Sequence, residues 1–589
     1  MYTWDLSILY NGFDDPKFQS DLAELGEIIP AFGDLANKAK DLEPVTLIKN
    51  YLSLSERLSI LVSKLANYAN LCSSVNTSDV AAISSLGKIM SQISAISAPD
   101  AALRKKIASL DDLEKFIDSD EELGKYHYLL TSIKKDSIYL LADGEEEVLA
   151  KMNLSGASAW SDLQSNLTSS LKGCIDGKEH TLSELRNLAY SDDPAVRKKA
   201  YDAEILCYDK IKESVAFALN SIKLQVISEC SLRGYESPLA KALYDSRMQK
   251  STLDALLGAM QDYLPHFRRY LRAKAQLVSG KDALDWWDLF APVGKIGGSF
   301  TPESAIEYLL SIFGDFDPEL CALVKRAFDE SWIDFYPKEG KVGGAFDCGI
   351  PSAKQSRVLL NFGGTLSDVV TLAHELGHSF HDSRVFANEP LNQDYTMPVA
   401  ETASTFNEVL VMQTAIDRAA SDEEKLALVE SQLSDCCQII VDIYSRFLFE
   451  SAVFERREGE FMNADALCKL MTEAQLASYG DGIEQSTLHP YMWLCKGHYY
   501  SGGLSFYNFP YAFGGLFARG LYAKYEKEGD KFVKTYKEML RSTGSASVED
   551  AAAVAGIDVG KKEFWIGGLE TVRKQIDLFV SLVEKAKKG

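Results

Sequence analysis

Apolar residues recur at spacings of three and four along most of the chain, and this period constrains the fold more than any other feature. Representative runs are Leu54, Leu58, Leu61 and Leu65, and Leu253, Leu256, Leu257 and Met260. Residues at such spacings share one face of an α-helix. Only 16 prolines and 39 glycines interrupt the 589 residues. The sequence therefore predicts a mainly α-helical protein.

The length of the chain predicts at least two lobes. One hydrophobic core rarely serves more than about 250–300 residues, and this chain has 589. The segment Ser191–Pro194 combines capping residues with a proline suited to the first turn of a helix that starts near Ala195. We place a boundary there, between an N-terminal helical lobe of residues 1–190 and a second region of residues 191–589, and we expect a cleft between the lobes.

The charge of the chain excludes some partners. Its 62 basic and 85 acidic residues give a net charge of −23, which opposes extended contact with nucleic acid or with an anionic membrane. The sequence contains no apolar run of about 18 residues and no export signal at its start. The ten cysteines are scattered and are expected to be reduced thiols. We therefore expect a cytoplasmic protein with neither a nucleic-acid nor a membrane partner.

One segment, residues 341–362, favours β-structure. The runs Val342–Phe346 and Arg357–Asn361 flank a turn-prone stretch and predict a small hairpin. Thr365 and Asp368 then form a variant capping box, which predicts the start of a helix that extends to about residue 384.

This helix carries His374, Glu375 and His378. The two histidines differ by about 40° around the helix and lie about 6 Å apart along it, so both imidazoles can reach one ion. Glu375 lies about 60° from His378, close to such an ion but better placed to hold its water. Hydrolytic zinc sites use this arrangement, with two neutral imidazoles on Zn²⁺ and a carboxylate that accepts a proton from water. We therefore predict His374 and His378 as metal ligands and Glu375 as general base.

A third protein ligand is expected further along the chain. The metzincin pattern would require histidine at position 384, where Arg384 stands. The segment Met397–Glu408 is predicted to form a second helix with a face of small residues, which lets two helices approach closely. That face consists of Ala400, Ala403 and Ser404. Glu401 lies beside this face and in the first turn, so we predict it as the third ligand, whereas Glu389 falls in a polar loop.

Two further residues near the motif cannot be direct ligands. Glu408 lies about 10 Å beyond Glu401 along a continuous helix, so both cannot bind one ion. We predict that Glu408 hydrogen-bonds a ligand imidazole and fixes its tautomer; the alternative is an ordinary surface carboxylate. His381 lies equally far beyond His374, and either packing or a substrate contact is expected for it.

The text around these residues resembles the oligoendopeptidase F group of the thimet oligopeptidase-like metallopeptidases. The matching segments are Asn361–Thr365, Asp368–His378 and Ala400–Ser404, and weaker similarity covers about residues 185–580. The resemblance implies an almost wholly helical, two-lobed ellipsoid with a deep substrate channel and a small hairpin or sheet next to the zinc helix. It also implies one Zn²⁺ per chain and short, unstructured peptides as substrates.

Members of this family also place a histidine and tyrosine cluster opposite the metal. The segments Gly497–Tyr500 and Ser505–Tyr511 match that feature. The resemblance implies that His498 and Tyr511, with Tyr507 behind them, donate hydrogen bonds to the oxyanion of the reaction. The alternative is that these aromatic rings only pack together.

The leading hypothesis is therefore a metalloendopeptidase in which zinc-bound water attacks the peptide carbonyl, with Glu375 as general base and then as proton donor. A second hypothesis is a metallocarboxypeptidase on a related helical scaffold, which would need a basic group for the substrate's C-terminal carboxylate. A third is a catalytically silent peptide-binding protein. The intact residues His374, Glu375 and His378 argue against the third hypothesis.

Overall fold

A computed structural model describes residues 2–588, and almost all of their regular structure is helical, as predicted. The helices before residue 190 are α1 (Pro16–Lys38), α2 (Pro44–Val75), α3 (Val80–Ser94), α4 (Ser97–Ala108), α5 (Leu113–Ser119), α6 (Glu121–Lys125), α7 (His127–Asp136), α8 (Asp143–Ser155), α9 (Ala157–Ser170) and α10 (Leu182–Asn187). Within residues 2–588, no helix is both long and apolar enough to cross a bilayer.

The helices after residue 190 are α11 (Pro194–Asp209), α12 (Lys212–Arg233), α13 (Pro238–Asp245), α14 (Lys250–Val278), α15 (Pro302–Phe316), α16 (Pro318–Asp329), α17 (Leu366–Val385), α18 (Met397–Ala400), α19 (Thr402–Arg418), α20 (Asp422–Cys437), α21 (Ile443–Arg457), α22 (Ala464–Tyr479), α23 (Met492–Cys495), α24 (Phe509–Glu528), α25 (Asp530–Ser542), α26 (Val548–Val554) and α27 (Lys562–Lys588). A π-helical segment, Gln438–Asp442, joins α20 to α21. The predicted start of α11 is confirmed, because Asp193 caps Pro194–Asp209 by accepting a hydrogen bond from Ala195 N at 2.8 Å.

Among the described residues, two clusters of buried apolar side chains each lie mainly in one part of the chain, and a third joins residues before position 90 to Ile350 and Leu359. One cluster lies within residues 28–133 and packs α1 and α2 against α4 to α7. The largest cluster lies within residues 157–583 and contains the helices that carry the predicted site. Helices α9 and α10 already contribute to this larger cluster through Ala157, Leu182 and Leu185. The boundary at residue 190 stays a prediction.

The predicted hairpin is present and belongs to a three-stranded sheet. Strands β4 (Phe346–Ile350) and β5 (Gln355–Leu359) are antiparallel, with Phe346 opposite Leu359, and β3 (Ile333–Asp334) pairs in parallel with β5. The first hairpin strand begins at Phe346 and not at Val342. Gly344 has a φ of +79°, in the left-handed region, and this conformation interrupts the extended backbone before the strand.

A second hairpin lies in the part of the chain for which only helices were expected. Strands β1 (Lys172–Ile175) and β2 (Lys178–Thr181) pair antiparallel through the turn Asp176-Gly177. Both turn residues have positive φ, 50° and 83°. An Asp-Gly pair is a strong signal for this kind of two-residue hairpin turn. The expectation of a single β segment was therefore wrong, and the sequence did contain the signal for the second one.

Candidate metal centre

The capping box holds α17 at its N-terminus. The amide of Asp368 donates to Thr365 Oγ1 at 3.2 Å, and the amide of Thr365 donates to Asp368 Oδ2 at 2.8 Å. Gly364, one residue earlier, has a φ of +86°, and an added Cβ there would lie 2.7 Å from the carbonyl oxygen of Phe300. A larger residue would be strained and would clash at this position. Glycine therefore permits the sharp turn of the chain from β5 into α17.

Helices α17 and α19 pack at close backbone distance. A Cβ at Gly377 would lie 2.5 Å from Ser404 Cα and 2.6 Å from the carbonyl oxygen of Ala403. Asn407 Nδ2 donates to the carbonyl oxygen of Ala373 at 3.0 Å. The small residues on α19 therefore face the histidine helix, and Gly377 is the matching small residue on α17.

The predicted helix from Met397 onwards is interrupted at Glu401. Helix α18 ends at Ala400, α19 begins at Thr402, and Glu401 between them has a ψ of 10°. The expectation of one continuous helix was wrong at this residue. The side chain of Glu401 is held from two sides: Ser404 Oγ donates to its Oε2 at 2.8 Å, and a Cβ at Gly514 of α24 would lie 2.9 Å from its Cβ.

Three donor atoms meet at the contact between α17 and α19. His374 Nε2 and His378 Nε2 are 3.1 Å apart, and Glu401 Oε2 lies 3.4 Å from each. Ligands about 2.0–2.1 Å from a tetrahedral ion are about 3.3–3.4 Å from one another. Within residues 2–588, this is the one group of three His, Cys, Asp or Glu side chains close enough to hold a metal ion. The donor set and its spacing therefore fit one tetrahedral cation.

Glu408 determines which nitrogen of His374 faces the other donors. Its Oε1 lies 2.6 Å from His374 Nδ1. Because an ionised carboxylate only accepts hydrogen bonds, Nδ1 is the donating nitrogen, and Nε2 is the nitrogen that faces His378 and Glu401. Burial lowers the pKa of His374, but the hydrogen bond to Glu408 and the charges of nearby carboxylates outweigh burial and raise this pKa to about 9. The surrounding carboxylates thus favour a positive charge at the position of His374.

The two remaining carboxylates beside the histidines have opposite pKa shifts. Burial raises the pKa of Glu401, but its hydrogen bond to His378 and the electrostatic interaction with both imidazoles lower it to about 2. Burial raises the pKa of Glu375, and among the described residues its carboxylate makes no hydrogen bond. Glu401 is therefore anionic near neutral pH, whereas Glu375 is a free carboxylate with increased proton affinity.

His381 is separated from this group by its packing. It is fully buried, its ring stacks on Tyr395 with centroids 4.1 Å apart, and its Nε2 lies 2.8 Å from Thr543 Oγ1. Burial lowers the pKa of His381 to about 3, so it is neutral. Of its two predicted roles, packing is confirmed, and a substrate contact is excluded by burial.

His498, Tyr507 and Tyr511 form one aromatic cluster. The ring of His498 lies 5.0 Å from that of Tyr507 and 5.9 Å from that of Tyr511, and the two tyrosine rings are 5.6 Å apart. His498 is exposed. Burial of part of its ring lowers the pKa of His498, and the charges of Arg446 and Lys496 lower it further. The imidazole is therefore neutral near pH 7 and can donate from one nitrogen.

Two contacts connect this cluster to the segment that carries Glu401. Tyr507 Oη lies 3.8 Å from the sulfur of Met397, the first residue of α18. Tyr511 precedes Gly514 by three residues on α24, and residues three apart share a helix face. Since Gly514 packs on Glu401 Cβ, Tyr511 lies about one helical turn along α24 from that packing contact.

The side chains that hold the tyrosine segment lie far from it in sequence and were not predicted. The carboxylate of Glu450 accepts hydrogen bonds from Phe506 N at 3.1 Å and from Asn508 Nδ2 at 2.9 Å. It also pairs with Lys223 Nζ at 2.7 Å, and both charged side chains are buried. Phe506 has a φ of +55°, an uncommon conformation for an aromatic residue, and Glu450 restrains it. No local pattern connects residues so far apart in sequence.

Sequence profiles of known protein families match this chain. The profile of peptidase family M3 matches residues 187–571, about two thirds of the chain, which include every predicted site residue. The chain belongs to peptidase family M3. A second profile, described as oligopeptidase F, matches residues 108–172 of the peptidase. The predicted enzyme class, metalloendopeptidase, is confirmed.

The peptidase aligns over nearly its whole length with bacterial oligopeptidases. It is 26% identical to group B oligopeptidase PepB of Streptococcus agalactiae, over 99% of this chain and 97% of the relative. It is 24% identical to oligopeptidase PepF of Bacillus subtilis, over 100% of this chain and 88% of the relative.

Solved structures share the fold of the peptidase. A protein from Chlamydophila abortus superposes with a TM-score of 0.86 at 23% identity, covering 98% of both chains. An oligoendopeptidase-F from Enterococcus faecium superposes with a TM-score of 0.71 at 18% identity, covering 97% of this chain and 99% of the other. The predicted helical fold class is therefore confirmed.

Proposed function

We propose that the peptidase is a zinc-dependent endopeptidase that hydrolyses short, unstructured peptides. The observation that supports this proposal most strongly is the triangle of His374 Nε2, His378 Nε2 and Glu401 Oε2, with sides of 3.1 and 3.4 Å. Two imidazoles and one carboxylate are the donors of a catalytic zinc site in which one position stays open. When bound, one Zn²⁺ per chain would supply a Lewis acid and lower the pKa of a water at that position towards about 7.

Glu375 is the general base in this proposal. Its carboxylate follows directly after His374 on α17, is buried, and is not engaged by another described side chain. It accepts a proton from the attacking water and then delivers that proton to the nitrogen of the leaving amine, so the carboxylate is regenerated. The raised pKa of Glu375 favours the first transfer.

His498 and Tyr511 are the proposed donors to the carbonyl oxygen as it becomes negative. The lowered pKa of His498 keeps its imidazole neutral, with one N–H available. Burial raises the pKa of Tyr511 to about 12, so its hydroxyl stays protonated near neutral pH. Donors of this kind contribute most in the transition state, where charge develops. Tyr507 packs against both rings and is assigned a smaller contribution.

Glu408 and Ser404 position the ligands in this proposal. Glu408 accepts a hydrogen bond from His374 Nδ1, and Ser404 Oγ donates a hydrogen bond to Glu401. Such partners orient the side chains that bind the metal and increase metal affinity by about 10- to 100-fold. The same contacts explain why a change at Glu408 is expected to weaken metal binding without abolishing it.

The substrate class follows from the relatives and from the proposed architecture. The relatives are named oligopeptidase and oligoendopeptidase. A channel between an N-terminal lobe and the catalytic region would admit an extended chain but exclude a folded domain. This restriction gives the proposal an experimental test that does not depend on the identity of the metal.

Peptides of roughly 6 to 18 residues are expected to be cleaved internally, whereas folded proteins and full-length denatured proteins resist cleavage, because a narrow cleft limits what can enter. Mass spectrometry of a peptide mixture and of denatured casein, incubated with the same enzyme preparation, measures both. Rapid digestion of the casein would contradict the proposal. Release of single C-terminal residues would favour the metallocarboxypeptidase hypothesis.

Substitutions in the aromatic cluster distinguish oxyanion stabilisation from packing. His498→Ala is expected to lower kcat by about 10²-fold, and Tyr511→Phe by about 10- to 10³-fold, because each removes a donor that acts mainly in the transition state. Tyr507→Phe serves as the matched control and should have a smaller effect. Metal content and melting temperature should stay near those of the wild type. If both Phe variants were fully active and His498→Ala only lowered the melting temperature, the cluster would be structural.

A further inference from the structure

We infer that a cavity next to Tyr507 is a subsite that receives one bulky apolar side chain of the substrate, an inference that rests on the proposed peptidase function. The cavity has a volume of about 280 Å³ and lies between α13, the start of α18 and the segment before α24. Apolar residues dominate its lining, among them Val226, Ala242, Leu504 and Phe509. Binding pockets for small molecules begin at about 300 Å³, so this volume suits a single large side chain.

The position of the cavity relates it to the cleaved bond. Tyr507 and Met397 both line the cavity and contact each other, with 3.8 Å between Oη and Sδ. Met397 begins α18, a four-residue helix that ends directly before Glu401. The cavity therefore lies next to the segment that carries the proposed third ligand. A side chain in the cavity would belong to a residue near the bond held at the metal centre.

Two exposed apolar side chains line this same cavity. Leu504 is 51% exposed and Met397 is 40% exposed. A single exposed apolar side chain is common on protein surfaces, but a group of them around an apolar depression is typical of a binding surface. A substrate side chain that covers both residues would remove their apolar surface from water, which favours its binding.

The charges around the cavity favour an uncharged occupant. Among the described lining residues, only Lys241 and Asp245 carry charge, and they neutralise each other through a salt bridge of 2.6 Å on α13. A charged substrate side chain would lose its hydration there without gaining a free counter-ion. The geometry thus selects for large aliphatic or aromatic side chains near the cleaved bond and against acidic or basic ones.

Cleavage selectivity tests this inference. The wild type is incubated with a peptide library in which each position around the cleaved bond is varied, and mass spectrometry identifies the position that prefers large apolar residues. For a matched pair of peptides with Phe or Ala at that position, the ratio of kcat/KM is expected to be about 10 to 100. Leu504→Asp should lower this ratio by about 10-fold, because it places a charge at the cavity mouth. Ala242→Phe should fill the cavity and shift the preference towards small residues.

The control is Leu206→Asp, which makes the same change at a residue that is 66% exposed on α11 and does not line the cavity. It should keep the wild-type ratio. If Leu504→Asp and Ala242→Phe both kept that ratio, or if each slowed Phe and Ala peptides equally, the subsite would be wrong. A wild-type enzyme that cleaved none of the peptides would instead contradict the proposed function, so the two failures can be distinguished.

Discussion

Glu375→Gln is expected to keep the metal and to lose about 10³-fold or more in turnover. Glutamine has the same shape as glutamate, but its amide cannot accept a proton from water. The three proposed ligands, His374, His378 and Glu401, are unchanged in this variant. The loss should therefore appear in kcat, while metal content stays near one ion per chain.

Metal analysis and steady-state kinetics on the same preparation test this expectation. Glu389→Gln is the matched control, because Glu389 lies outside the site and forms a partly exposed salt bridge with Lys125 at 3.1 Å. It should retain both the metal and the activity of the wild type. If Glu375→Gln lost its metal, Glu375 would be a ligand and the proposed roles would be reversed. If it kept full turnover, another group would have to be the base.

The parts of the site that lie within one element could be predicted from the sequence. His374 and His378 converge because four residues correspond to slightly more than one helical turn, and that relation holds wherever the helix lies in the fold. The capping box at Thr365 and Asp368 is local in the same sense. Its hydrogen bonds form as predicted, and the helix starts at Leu366, directly after the capping residue Thr365.

Contacts between distant elements were predictable only in part. The small residues of α19 indicated close packing, but they did not indicate which residue of α17 they meet, and that residue is Gly377. The break at Glu401 also depends on tertiary context, because Ser404 and α24 both contact its side chain. Helical periodicity alone predicts a continuous helix and cannot show where surrounding elements interrupt it.

The side chains that hold the tyrosine segment were even less predictable from the sequence. Lys223 and Glu450 are 227 residues apart, both are buried, and together they hold the turn at Phe506. Neither residue belongs to a recognisable motif. By contrast, the missed β1–β2 hairpin contained a local signal, Asp176-Gly177, and could have been predicted from turn chemistry.

Removal of the metal is expected to abolish peptidase activity, and stoichiometric Zn²⁺ is expected to restore it. The three proposed ligands would hold one cation and leave a position for water, so an enzyme without the ion would lack the group that activates the nucleophile. The experiment uses dialysis against a chelator, metal analysis, and a peptide-cleavage assay before and after Zn²⁺ is added. Full activity in metal-free protein would contradict the zinc-dependent mechanism as a whole.

Substitution of one ligand connects this loss to the proposed site. Glu401→Ala should lose the metal and the activity together, because only two imidazoles remain, while the Cβ that packs against Gly514 is kept. Glu408→Gln is the variant for comparison, because a smaller loss of metal affinity is expected for it. It keeps all three donors and removes only the carboxylate at His374 Nδ1. Its metal affinity should fall by about 10- to 100-fold, and excess Zn²⁺ should recover most of its activity. Because both substitutions remove one negative charge, a general electrostatic effect would weaken metal binding equally in the two variants. A much larger loss for Glu401→Ala would identify Glu401 as the direct ligand, and equal losses would exclude that assignment.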